Sequence, residues 1–207
     1  MSEVYKPGYL EVIFGPMKSG KSEVFIILFK KLSYSNHEWV TFKPAVNIRE
    51  EGIASRAFNL NLQAIVIDEN HPELIFEHLK GKKYKIIGID EAQFFDDYLV
   101  DIVDTLLKQR YHVIVSGLML NFRGEPFGPM PWLVGRANKV TRLTGICDVN
   151  ECNRRATRTQ RLINGEPASY DSPVVVIEGQ GKKETYETRC VIHHIVPKSN
   201  VKNKSID

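Results

Sequence analysis

The chain has no apolar run near the ~20 residues that a membrane-spanning helix needs, so a transmembrane reading is excluded. Cysteine is scarce. Its three copies, Cys147, Cys152 and Cys190, cannot all pair with one another, and a reducing compartment would keep them as thiols; they are free, or they hold a metal. No block of lysine and arginine stands out: the formal net charge is +3 over 207 residues, with the basic residues spread along the chain, so no polyanion partner is called for. Met1 to Pro7 lacks the basic start and apolar stretch of a secretion signal, and the expected location is cytoplasmic. Internal repeats and low-complexity tracts are missing too. What remains is ordinary globular material, 43% hydrophobic and 26% charged, enough for one substantial core and a small appendage.

Gly8 to Phe14 is a short apolar run with β-branched members that ends at a glycine-rich segment, and Lys21 to Leu32 then carries apolar residues on most turns. This reads as strand, loop, helix. Glu38 to Phe42 and Ala64 to Ile67 are expected to be short strands, and Asn47 to Asn61, with little periodicity, a mobile loop. Lys85 to Asp90 is almost continuously apolar, as suits a strand buried on both faces of a parallel sheet. Leu99, Ile102, Val103, Leu106 and Leu107 recur at helical spacing, and His112 to Gly117 returns to a strand pattern. Alternating strands and helices mean an α/β protein. From Thr144 the character changes: cysteines appear, turn residues gather at Asn164 to Pro167, and β-rich runs such as Val174 to Ile177 replace helices. The expected organisation is an α/β domain over 1–143, a small β-rich lobe over 144–197 and a disordered tail over 198–207.

Gly15-Pro16-Met17-Lys18-Ser19-Gly20-Lys21-Ser22 fits G-x-x-x-x-G-K-[ST], between a strand and a helix. In such a loop the backbone N–H groups converge on phosphate oxygens at the positive end of the helix, a lysine reaches the β- and γ-phosphates, and the hydroxyl ligates Mg²⁺. Lys21 and Ser22 hold those positions, and the sheet is expected to be of the P-loop NTPase type. Asp90, at the end of a buried strand, is the candidate second magnesium ligand; its ordinary alternative is a helix cap. Glu91 is required by neither role. Adjacent acids on a strand end point different ways, so Glu91 can face an acceptor hydroxyl and take its proton as general base, or else be a solvated acid.

Cys147, Cys152, Cys190 and His193 form a C-x4-C pair and a C-x2-H pair. Three thiolates and an imidazole make an ordinary structural zinc site, and a lobe of this size with little apolar content is the kind of unit a metal holds together. His194 competes with His193, and three inert buried thiols are the plain alternative.

These segments together resemble the compact, zinc-containing thymidine kinase family. The resemblance rests on Gly15 to Ser22, Ile89-Asp90-Glu91-Ala92-Gln93-Phe94-Phe95, Phe122 to Met130, Ala156 to Leu162 and Tyr186-Glu187-Thr188-Arg189-Cys190, in the family's order, over Gly8 to His194. It implies ATP-dependent phosphorylation of the thymidine 5′-hydroxyl, with Glu91 as general base, Asp90 on magnesium, and Arg49 and Gln93 beside the phosphate loop. It also implies a nucleoside site at Met17, Phe94, Leu118, Phe122, Phe127, Thr159 and Tyr186, and a lasso-like loop beginning at Val174 and passing Val176 and Glu178. The aromatic residues could instead be core; Phe122 and Phe127 flank the polar turn Arg123-Gly124-Glu125-Pro126, which core packing would not favour. The same four zinc ligands and a homotetramer are implied as well.

The sequence departs from the family at four places. Asn47 stands where an Asp is common, Lys18 where an aromatic residue is common, the lasso tip at Glu178 to Thr185 is longer than usual, and the C-x2-C spacing would put a ligand at Val149 rather than Cys147. Two other readings stay open: a kinase of another deoxynucleoside, and a nucleic-acid-binding ATPase, against which stand the chain's length and the lack of a basic, aromatic-interleaved stripe.

Overall fold

Apolar runs that alternate between two faces build the larger of two units in this chain. The computed structural model describes residues 5–47, 52–55, 60–175 and 184–198. One unit consists of Met1–Gly15, Gly20–Met119 and Pro126–Leu143, the other of Pro16–Ser19, Leu120–Glu125 and Thr144–Asp207.

In the first unit, β1 (Tyr9–Phe14), β2 (Trp39–Pro44), β5 (Ile65–Ile67), β6 (Ile86–Ile89), β7 (His112–Gly117) and β8 (Lys139–Arg142) form a sheet in the order β5-β2-β6-β7-β1-β8. Every pairing is parallel. The two-residue period of the strands sends Ile13, Ile86 and Ile114 to one face, where they meet Phe25, Ile26 and Phe29 of α1 (Lys21–Leu32). It sends Val12, Ile87, Ile89, Val113 and Val115 to the other, against Leu99, Ile102, Val103 and Leu106 of α3 (Leu99–Lys108). Gly88 lets α1 lie close, because a Cβ there would come within 2.5 Å of Phe29 and 2.7 Å of Phe25. Two short helices, α2 (Leu74–Leu79) and α4 (Met130–Arg136), complete the helical layers.

The segment 47–61, expected as a mobile loop, contains part of an antiparallel pair: β3 (Ile53–Ser55) joins β4 (Leu60–Leu62), with Ile53 opposite Leu62. Both side chains are buried in the α1 cluster, so apolar burial organises a stretch too short to show a period. Val174 and Val175, expected within a β-rich run, lie in bends.

The second unit is built from short antiparallel strands. β9 (Gly145–Ile146) pairs with β10 (Arg155–Ala156), and β11 (Arg158–Ile163) lies between β12 (Glu166–Pro167) and β13 (Glu184–Arg189). Among the described residues no helix is long and apolar enough to cross a membrane.

Candidate active site and metal centre

In the first unit the carboxyl ends of β1, β7 and β6 lie side by side, Phe14 opposite Gly117 and Ile89 opposite Val115. Open parallel sheets bind ligands at this edge. β1 runs into Gly15, and Gly20 caps α1 with φ 84°, a left-handed conformation that only glycine takes without strain. Lys21, the first residue of α1, is buried. Burial draws its ammonium below the usual lysine range, against the pull of Glu91, Asp90 and Glu23.

Asp90 follows β6, its N–H donating to the Phe42 carbonyl at 2.9 Å. Its carboxyl is buried, and burial followed by the charge of Glu91 pushes it up to about 7. A divalent cation at Asp90 would favour its ionised form, which burial and Glu91 oppose. Glu91 has φ 51° and ψ 37°, uncommon for a residue with a Cβ, and caps the short turn Ala92–Phe94. Gln93 fixes it there: its Nε2 donates to Glu91 Oε2 at 2.5 Å while its Oε1 accepts the Leu118 N–H at 2.8 Å. Gly117 leaves room for that amide, since a Cβ would sit 2.6 Å from Gln93 Oε1. The Gln93 side chain therefore links two strand ends and orients Glu91. Phe94 and Phe127 meet edge to face at 5.5 Å, both half-buried.

The second unit contains Pro16–Ser19, the middle of the glycine loop. Met17 is gripped on both sides of its backbone: its N–H donates to Thr159 Oγ1 at 3.1 Å, and its carbonyl accepts Thr188 Oγ1 at 2.7 Å. Thr159 and Thr188 face each other across β11 and β13. Lys18 follows with φ 58°, and its Nζ lies 3.2 Å from Asp148 Oδ2. That oxygen also accepts the Thr188 N–H at 2.9 Å. Sequence reasoning missed Thr188 and Asp148, because facing threonines become visible only once the strand register is known.

Phe122 is buried beneath the Arg161 guanidinium, 5.4 Å from its ring, with Arg123 at 5.6 Å. The polar turn after it is tied by Asn121 Oδ1, which accepts from the N–H groups of Arg123 and Glu125, and by Tyr170, whose hydroxyl donates to the Glu125 carboxylate. Leu118 is buried in the first unit; Val174 and Tyr186 are half-buried in the second. Arg49, Val176 and Glu178 lie outside the described residues, as does the tail beyond Lys198.

Cys147, Cys152, Cys190 and His193 place their ligand atoms within 4.8 Å of one another and could hold a metal ion. Sulfur and nitrogen on a tetrahedral zinc stand about 3.6 Å apart. Two sulfur–nitrogen separations match this: His193 Nδ1 lies 3.5 Å from Cys147 Sγ and 3.6 Å from Cys190 Sγ. Burial pushes the Cys147 thiol up, but backbone groups of Cys190 and Val149 with the His193 ring draw it down to about 6, favouring a thiolate ligand. The Val149 side chain packs against this cluster, and His194 turns away to place Nε2 2.8 Å from the Phe122 carbonyl.

A glycine loop opening a helix, with its buried lysine under the influence of two acids that follow β6, has the form of a nucleotide-phosphate site. The model of the thymidine kinase family matches residues 8–194, and the chain belongs to that family. It is 42% identical over 198 residues to a thymidine kinase of Coprothermobacter proteolyticus, an alignment covering 95% of this chain and 96% of that protein.

Proposed function

We infer that this chain transfers the γ-phosphoryl group of ATP to the 5′-hydroxyl of thymidine, giving ADP and thymidine 5′-monophosphate for pyrimidine deoxynucleotide salvage. The observation that carries the reading is the electrostatic grouping of Lys21, Asp90 and Glu91 at the sheet edge of a chain in this family. The backbone of Gly15, Pro16, Met17, Lys18, Ser19 and Gly20 cradles the triphosphate, and Lys21 neutralises its terminal oxygens. Ser22 and Asp90 would hold Mg²⁺, which when bound neutralises charge developing on the phosphoryl oxygens. Glu91, oriented by Gln93, accepts the hydroxyl proton as the oxygen bonds to the γ-phosphorus and the bond to the bridging oxygen of ADP breaks. Met17, Phe94, Leu118, Phe122, Phe127, Thr159 and Tyr186 form the nucleoside site, closed by the loop from Val174 through Val176 and Glu178. Arg49 supplements the phosphate contacts.

Cys147, Cys152, Cys190 and His193 hold a structural zinc, supported by the donor set and its spacing. The same reading carries a homotetramer in the cytoplasm, with neither membrane nor nucleic acid as partner.

Incubation with labelled ATP and a nucleoside panel should give thymidine monophosphate as the main product. Glu91→Gln should lower kcat by about 10²–10⁴-fold with ATP binding retained. Turnover at the parent rate would remove Glu91 from the chemistry, and polynucleotide-stimulated ATP hydrolysis without a phosphorylated nucleoside would replace the kinase reading.

A further inference from the structure

Lys18 brings a second cation into the phosphate loop, three residues before Lys21. It does not stand free. Met17, Thr188, Asp148 and Lys18 close a ring of contacts within the second unit: Thr188 Oγ1 donates to the Met17 carbonyl, the Thr188 N–H donates to Asp148 Oδ2, and Lys18 Nζ reaches the same Asp148 oxygen. The Asp148 N–H in turn donates to the Thr188 carbonyl at 2.8 Å, so residues 148 and 188 are tied in both directions. Asp148 directly follows Cys147 and Thr188 precedes Cys190 by two, which places the ring beside the metal cluster.

The left-handed conformation of Lys18 is uncommon for a residue with a Cβ, and the grip on Met17 holds the residue before it. The loop tip is thus set by β11, β13 and the residue after Cys147. The Lys18 ammonium is more than half exposed and its partner about one-third exposed, so the pair contributes little to stability. What it does control is the direction in which a loop cation points.

We propose that Asp148 is a positioning residue for the phosphate loop: it retains Lys18 on a carboxylate of the metal-binding lobe and thereby weakens the loop's affinity for nucleoside triphosphates. A triphosphate entering the loop must compete with Asp148 for the Lys18 ammonium. The exchange is between two anionic partners of one cation. This rests on the reading of Gly15 to Ser22 as the ATP loop.

The test is a double-mutant cycle on ATP affinity, measured by titration calorimetry on the full-length protein without nucleoside. Asp148→Asn should tighten ATP binding about two- to fivefold at low salt, with a smaller gain at high salt. In a Lys18→Met background the same change should have no effect. Asp148→Ser, which keeps an oxygen for the Thr188 N–H, should behave like Asp148→Asn, and Asp148→Glu should restore parent affinity. Metal content and melting temperature of each variant check that the lobe is intact. Weaker ATP binding by Asp148→Asn overturns the proposal, and so does an equal gain with and without Lys18, which would reduce Asp148 to a distant charge. If the parent binds no ATP, the ATP-loop reading fails and this proposal with it; if the parent binds and the cycle is additive, only this proposal fails.

Discussion

The two units are held by different physics. In the first, β-branched and aliphatic side chains on both faces of a parallel sheet pack against α1 and α3, and most of its buried residues are apolar. In the second, the apolar cluster is Cys147, Cys152, Ala156 and Cys190 with Val149 packed on it. Around it buried apolar residues are few, Phe122, Leu162 and Ala168, and buried polar ones make individual bonds: Gln160 exchanges two 2.8 Å hydrogen bonds with the backbone of Ile195, and Thr159 and Thr188 grip Met17. A hydrophobic layer is forgiving of small shifts; a set of point-to-point links is not. The second unit therefore depends on whatever fixes its strands at the cysteine end, and the first does not.

The sharpest way to break this contrast is to remove the metal that the cysteine cluster is proposed to hold. Structural zinc contributes about 10–16 kcal/mol in small domains whose fold depends on it. Chelation, or Cys190→Ser, should release about one zinc per chain and abolish hydrogen-exchange protection in β11 and β13, while amides of β6 and β7 keep theirs. If the metal-free protein retained protection in β11 and β13, the polar links alone would suffice and the contrast would collapse.

The same difference decides what could be read from the sequence. The glycine loop, the acids that follow β6 and the four Cys and His residues that could hold a metal ion stand out in the sequence because each depends on local spacing. α1 and α3 are legible from their periodicity. The segment that forms α4 carries Pro129, Pro131 and Gly135, which argue against a helix, yet proline is tolerated in a first turn. β8 is an edge strand of Lys139, Val140, Thr141 and Arg142, mostly exposed and so without a buried face to announce it. The contacts of Thr188, Asp148 and Asn121 escaped notice for another reason. Their partners are set by register and turn geometry, and neither leaves a trace in composition.

A smaller and more local break is Arg161→Ala. Arg161 is buried on β11, donating to the Pro173 carbonyl at 2.5 Å and to Glu184 Oε1 at 2.6 Å, with its guanidinium over Phe122. Truncating one partner of a buried pair costs about 3–5 kcal/mol. Glu184 is partly exposed and can regain water, so the effect should fall near the lower end, about 3 kcal/mol. Hydrogen exchange should accelerate in β11 and β13 and leave the parallel sheet unchanged. Uniform acceleration through both units would mean that they share one stability, and the contrast would have to be redrawn.

The smallest effect comes from a polar exception inside the apolar unit. Glu11 on β1 places one carboxylate oxygen 3.2 Å from His112 Nε2 and the other 2.7 Å from Lys139 Nζ, tying β7 and β8 to the strand between them. The His112 hydrogen bond is the main cause that lowers the Glu11 carboxyl from 4.5 to about 2; burial opposes it, and Lys139 adds to it. Because the folded value lies below the unfolded one, this stabilisation is complete above pH ~4.5 and is lost as the pH falls through about 2. Glu11→Gln should lower stability at pH 7 by about 1–2 kcal/mol, since the carboxylate is largely buried but Lys139 is half in solvent and screened by salt. In denaturant titrations the gap between variant and parent should narrow steadily from pH 4.5 to pH 2. A gap of the same size at pH 7 and at pH 2 would show that the strands need the shape of the side chain and not its charge, and the sheet would then owe nothing measurable to ion pairing.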